Sequence, residues 1–230
     1  MRPLALALLL SGLVAGPAWA SYESAMTAYE NGRFDVARQE FTTLAEAGDR
    51  KAQAALAILY ARGEGVDKDM AKARKWFEAS AEQGYASAQY QLGRMVYAGI
   101  AGEKDPSKAA EWLRKAADQG QVMASQMLSE LYYAGEGVPQ DYALSAKYAR
   151  QAADFGHPAA QYHLGSLYMH GQGVPQDEVE AYYWVFLAAQ RGMIEAQQVM
   201  FGLAERLTPE QMMSAERRAS AWRPKAAAGE

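Results

Sequence analysis

Residues 160–181 read AQYHLGSLYMHGQGVPQDEVEA, and this stretch decides the fold because most of it has been written before, upstream, in the same order. Its Ala160 repeats Ala52, Ala88 and Ala124 at steps of 36 residues, and its Leu164 repeats Leu56, Leu92 and Leu128. Gly171 continues Gly63, Gly99 and Gly135, and Asp177 continues Asp69, Asp105 and Asp141. Gly48, Gly84, Gly120, Gly156 and Gly192 keep the same step, as do the aromatics Trp76, Trp112, Tyr148 and Trp184. So many positions in phase mark a repeat architecture, which takes precedence over any local reading of helix or strand.

Each unit holds two helical stretches. In the first, Ala52, Leu56, Leu59, Tyr60 and Gly63 stand at i, i+4, i+7, i+8 and i+11, one face of a helix. Gly63 and Gly65 then break the pattern, and Asp69 sits where an N-cap opens the second helix. Asp105-Pro106 strengthens that signal in the next unit, since proline suits the first helical position. The second helix carries Ala73, Trp76, Phe77 and Ser80 and runs to Gly84, a left-handed C-cap. Small pairs near its end, such as Ala116-Ala117 and Ala152-Ala153, allow close helix approach beside the upstream Trp or Tyr. Stacked, such pairs give an all-α, α/α solenoid with a continuous core.

The pattern A-x-x-x-L-G-x-L-Y-x-x-G-x-G-V-x-x-D-x-x-K-A resembles that of the Sel-like repeat (SLR) family, relatives of the tetratricopeptide repeat. The resemblance covers four units, 49–84, 85–120, 121–156 and 157–192. Unit two departs from it, with Ile100, Ala101 and Gly102 after Gly99. Residues 21–48 look like a degenerate leading unit, with Tyr29, Gly32, Phe34, Ala37, Phe41 and Leu44 in tetratricopeptide-like spacing. After Gly192 the first-helix pattern returns as Ala196, Met200 and Leu203, and Thr208-Pro209-Glu210-Gln211 is a capping box opening a last helix. That helix is expected to close the stack near Trp222, leaving residues 223–230 as a frayed tail.

Residues 1–20 differ from the rest. Arg2 is followed by an apolar run from Leu4 to Val14, then Ala18-Trp19-Ala20, the form of a secretory signal cut before Ser21. The run is too short and broken to span a bilayer. Export to the periplasm, or beyond it, is the expected destination, with no membrane insertion afterwards. Without Arg2, 22 basic residues face 27 acidic ones, a formal charge of −5, which disfavours nucleic acid as a partner.

No catalytic or cofactor constellation emerges. His157, His163 and His170 lie in one unit at spacings that do not suit zinc, and there is no cysteine. The G-x-G elements follow helices rather than strands and recur as punctuation, so they are not nucleotide loops. The Trp series reads as core, with Trp112→Ala expected to cost roughly 3 to 5 kcal/mol if the ring is buried. No enzyme, cofactor or metal is expected.

Binding is expected where the repeat stops repeating. Two before, two after and five after the core leucine stand Tyr90, Arg94 and Tyr97; Gln126, Glu130 and Tyr133; and Tyr162, Ser166 and Met169. In unit one the same positions are Ala54, Ile58 and Ala61. Tyrosine and arginine are enriched at interface anchors. The face reads as a groove for a protein or peptide, on a scaffold or adaptor that could regulate an envelope complex or sensor. Packing between neighbouring helices is the competing account of the tyrosines, and envelope carbohydrate is the competing ligand.

Overall fold

The computed structural model describes residues 21–225, and within them every regular element is an α-helix. The apolar leader over residues 1–20, its cut before Ser21 and the tail residues 226–230 lie outside that range. The chain divides into two compact units at residues 76 and 77.

The first unit holds α1 (Tyr22–Glu30), α2 (Phe34–Glu46), α3 (Arg50–Arg62) and the start of α4 (Met70–Glu82). Ser21 caps α1 by accepting the Ser24 N–H at 3.1 Å. Its core is small and tight: Ala25, Ala28, Ala37, Phe41, Ala45, Ala52, Leu56 and Leu59, with Trp76 packed on it.

The second unit continues from α4 through α5 (Ala86–Ala98), α6 (Pro106–Ala117), α7 (Val122–Ala134), α8 (Tyr142–Asp154), α9 (Pro158–His170) and α10 (Glu178–Gln190). It ends with α11 (Ile194–Ala204) and α12 (Pro209–Ala221). Successive helices pack pairwise, α5 on α6, α6 on α7, and so on to α10 on α11. The in-phase leucines and the small pairs fill the space between them. Leu92, Leu113, Leu128, Leu164 and Leu167 are buried, as are Ala116, Ala117, Ala152 and Ala153.

The in-phase aspartates perform the role their position suggests. Asp69, Asp105 and Asp141 each accept the N–H three residues on, at 2.9 Å, and Asp177 does so at 3.0 Å. Those backbone N–H groups have no partner inside the helix, so the carboxylate satisfies an orphan donor. The bond from Lys72 N–H, the largest influence, holds Asp69 below the ordinary carboxylate range.

The second glycine of each G-x-G has a steric reason. A Cβ on Gly137 would lie 2.4 Å from the Pro106 carbonyl carbon, and one on Gly173 would lie 2.0 Å from the Tyr142 oxygen. The loop after α7 thus sits on the start of α6, and the loop after α9 on the start of α8. Both glycines also have positive φ, 74° and 71°. In the divergent loop after α5, Ala101 takes this conformation as a non-glycine residue, with φ 56°.

Glutamines tie each helix pair to the next. Gln53 Nε2 donates to the Ala45 carbonyl, Gln89 to Ala81 and Gln161 to Ala153, at 3.1, 3.1 and 3.2 Å. Where Ser125 replaces the glutamine, Gln151 Nε2 comes from α8 to bond the equivalent Ala117 carbonyl. The four carbonyls recur at steps of 36, and each buried acceptor is satisfied by an amide.

Two expectations change. Trp184 and Tyr148 are buried, but Trp112 and Trp76 are only half-buried, Trp112 lying under Lys115 at 4.2 Å. The capping box at Thr208 and Gln211 opens α12 as expected, and α12 packs across α10. Finally, residues 223–225 do not fray: Lys225 N–H reaches the Asp154 carbonyl at 2.9 Å and its ammonium the Asp154 carboxylate at 2.7 Å.

Candidate binding face on the first helix of each repeat

The residues singled out on α5, α7 and α9 follow one helix face in each case, and the structure divides them into three kinds. Arg94 and Glu130 are exposed. Arg94 lies over the Tyr90 ring at 5.6 Å and donates to Gln91 Oε1 at 3.2 Å. Glu130 accepts from the buried Gln126 amide at 2.7 Å, which fixes its carboxylate near α7. Tyr133 is 37% exposed and stands between Tyr142, at 5.4 Å, and the edge of His163, at 5.1 Å.

Tyr90, Tyr97, Tyr162 and Met169 are half-buried and pack on the core. Tyr97 also donates its hydroxyl to Glu136 Oε2 at 2.8 Å, and Lys104 reaches Glu136 Oε1 at 3.0 Å. Its bond to Glu136, then burial, pushes the phenol above its usual range, while the bonds from Tyr97 and Lys104 hold Glu136 low. Ser166 offers its carbonyl to His170 Nδ1 at 2.9 Å.

Packing and exposure therefore coexist on this face: Tyr97 joins one repeat to the next, whereas Arg94, Glu130 and part of Tyr133 are exposed.

Glu136 and Lys104 escaped the sequence reading because a loop glutamate between glycines looks like punctuation. A signal was present. Tyr29 stands two residues before its helix C-cap, as Tyr97 does, and donates to Glu64 of the next loop at 3.0 Å. Tyr29 and Tyr97 are each matched by a Gly-Glu-Gly loop in the following unit, whereas Tyr133, at the same position, is followed by Gly171-Gln172-Gly173 and makes no such bond. Unit one has Ala61 there, and unit two has no such glutamate.

The histidines serve the scaffold. His157 caps α9, its Nδ1 accepting the Ala160 N–H at 3.3 Å. His163 Nε2 lies 3.1 Å from Ser145 Oγ, and Ser129 Oγ donates to the Ser145 carbonyl at 2.8 Å. Burial lowers the pKa of both imidazoles. Ser145 is fully buried, so this Ser-His contact offers no accessible nucleophile. No grouping of three or more His, Cys, Asp or Glu side chains fit to hold a metal occurs among the described residues.

The Sel1 repeat family model matches four consecutive segments, residues 50–85, 86–121, 122–157 and 158–193. This chain belongs to the Sel1 repeat family. The Sel1 chain is similar to a Sel1 repeat protein from Oxalobacter formigenes, at 36% identity and a TM-score of 0.69, over 74% of this chain and 49% of that one. It is also similar to a putative Sel1 repeat protein from Klebsiella pneumoniae subsp. pneumoniae, at 24% identity and a TM-score of 0.50, over 80% of this chain and 91% of that one. A protective antigen present in uropathogenic Escherichia coli strains, displaying an SLR fold, matches at 26% identity and a TM-score of 0.45, over 87% and 60% of the two chains. The Sel1 chain thus spans about half the length of the Oxalobacter protein. No curated protein matches it. Sel1 repeats generally mediate protein–protein interactions, and no helix among the described residues is long and apolar enough to cross a membrane.

Proposed function

We propose that this Sel1 protein is an exported, non-enzymatic adaptor that holds a protein or peptide partner of the cell envelope on the face formed by α5, α7 and α9. The observation that carries the reading is the mixture on that face of a charged pair of opposite sign, Arg94 and Glu130, with the partly exposed Tyr133. Aromatic and arginine anchors ringed by polar groups are the usual composition of an interface centre. Half-buried Tyr90, Tyr97, Tyr162 and Met169 form its floor. The signal-like leader over residues 1–20 supports export, with the periplasm as destination. The flanking stretches, 21–48 and 193–222, serve as caps to the four repeats.

In-cell crosslinking of the full-length protein, tagged at its C-terminus and followed by mass spectrometry, tests the reading. Arg94→Glu with Tyr133→Ala is expected to weaken the main adduct by about 30-fold, equivalent to a 2 kcal/mol hot spot. Retention of the adduct by a folded double variant overturns the assignment of this face. Cosedimentation of the wild type with purified sacculi in place of a protein adduct would make envelope carbohydrate the ligand.

A further inference from the structure

The outward side of α11 is bare in a way that no other helix among the described residues matches. Ala196 and Leu203 are buried beneath it, whereas Ile194 is 66% and Phe201 68% exposed. The α12 helix does not cover them, because it is drawn across α10 by Tyr182–Glu216 and Arg218–Glu180 and held at its end by Trp222 under Arg191. Beside Phe201 opens a groove of about 240 Å³ walled by Phe186, Ala189, Met200 and Phe201, with Gln190 and Gln197 at its polar edge. That is below the 300–1,000 Å³ of small-molecule pockets and suits a protruding side chain.

Gly202 is a further anomaly on the same side. The other helical glycines of the repeats are explained by close packing: a Cβ on Gly93 would lie 3.0 Å from Leu113, and one on Gly165 2.6 Å from Val185. Gly202 has nothing within 4 Å, and glycine weakens a helix unless something approaches it.

We propose that this face joins two copies of the chain about a two-fold axis, α11 running antiparallel to α11, with Phe201 of each copy seated in the groove beside Phe201 of the other. A two-fold interface needs one patch that is complementary to itself. This patch carries both the knob, Phe201, and the hole next to it, and Gly202 lets the two helices come close. Charge agrees with the antiparallel direction. With Phe201 beside Phe201 the axis passes near residue 201, which sets Glu195, near the start of α11, toward Arg206 just past the end of its partner's helix, where Arg206 also pairs with Glu178 of its own chain at 3.3 Å. Parallel copies would set Glu195 against Glu195. Head-to-tail growth is disfavoured by the other terminal helix, α1, whose exposed positions are Glu23, Thr27 and Glu30.

Sedimentation velocity of the protein expressed from its full-length gene, over a wide concentration range, provides the test. The expected mass is twice that of the monomer, with Phe201→Glu and Ile194→Glu each weakening the dimer at least about tenfold at unchanged helical circular dichroism. Both side chains are mostly in solvent, so neither change should unfold the monomer. Arg94→Glu is expected to leave the mass unaltered, which separates this interface from the binding face on α5 and α7. A monomer at every concentration, including one that captures a different protein through α11, overturns the proposal. So does mass growing past the dimer, or a Phe201→Glu variant that associates like the wild type.

Discussion

Single residues show where a 36-residue pattern is enforced and where it only recurs. Gly173 is enforced twice, by φ 71° and by the Tyr142 oxygen that a Cβ would strike. Gly173→Ala should therefore cost about 2 kcal/mol or more in urea unfolding, beyond the 1–2 kcal/mol of a left-handed alanine alone. Ala101 already bears that conformational strain, so Ala101→Gly should stabilise by about 1 kcal/mol, visible as a higher midpoint at unchanged slope. The tryptophans teach the opposite lesson. Trp76, Trp112 and Trp184 occupy one sequence phase, yet only Trp184 is buried, with Arg150 over its ring at 5.1 Å and the Tyr183 ring edge-on to it at 4.9 Å. Trp184→Ala should cost roughly 3 to 5 kcal/mol and Trp112→Ala clearly less, a difference that phase in the sequence cannot foretell.

At the scale of the helix, boundaries were legible because capping chemistry is local. An aspartate that accepts an N–H three residues on, or a glycine at positive φ, does its work within one turn. The glutamine ties were not read, although Gln53, Gln89 and Gln161 follow the in-phase alanines directly. Polar residues beside a core position look like surface until the carbonyl they satisfy is known, and Ser125 interrupts the series. Their energetics differ by partner. Gln89 is bonded at both ends, to the Ala81 carbonyl and from the Gln119 amide at 2.7 Å, whereas Gln161 Oε1 is buried with no partner. Gln89→Met is accordingly expected to cost about 2 kcal/mol and Gln161→Met about 1 kcal/mol, since the second change also removes an unsatisfied acceptor. Equal losses on thermal unfolding would show that the second bond contributes nothing.

Across the whole molecule, period and phase revealed the α/α solenoid, since a repeat states its own packing several times over. What ends the array was less legible, because a terminal unit is defined by the neighbour it lacks, and the turn of α12 onto α10 depends on contacts such as Tyr182–Glu216 that occur once. The binding face was legible only in outline. Variation between units picks out Arg94, Glu130 and Tyr133, but the same variation also picks out Tyr97, half of whose role is to bond Glu136 in the next unit.

The histidines extend this to the stability of the full array. Burial depresses the pKa of His157 and His163 in the folded chain below the ordinary 6.5, and for His157 the nearby Glu130 opposes the shift only in part. The unfolded chain therefore binds more protons once the pH falls below about 6.5, so folding is linked to deprotonation and stability declines with acidification. Above that pH the contribution is complete; it is lost as pH drops through the folded values. Protonation of His157 also abolishes the Nδ1 acceptor that caps α9, while His163 must place its charge between Tyr133 and Ser145, neither of which carries a compensating negative charge. The melting temperature should fall between pH 7.5 and pH 5, and His157→Asn with His163→Gln should flatten that fall, since asparagine preserves the cap and neither replacement titrates. An equally steep decline in the double variant would assign the acid sensitivity to carboxylates elsewhere in the stack.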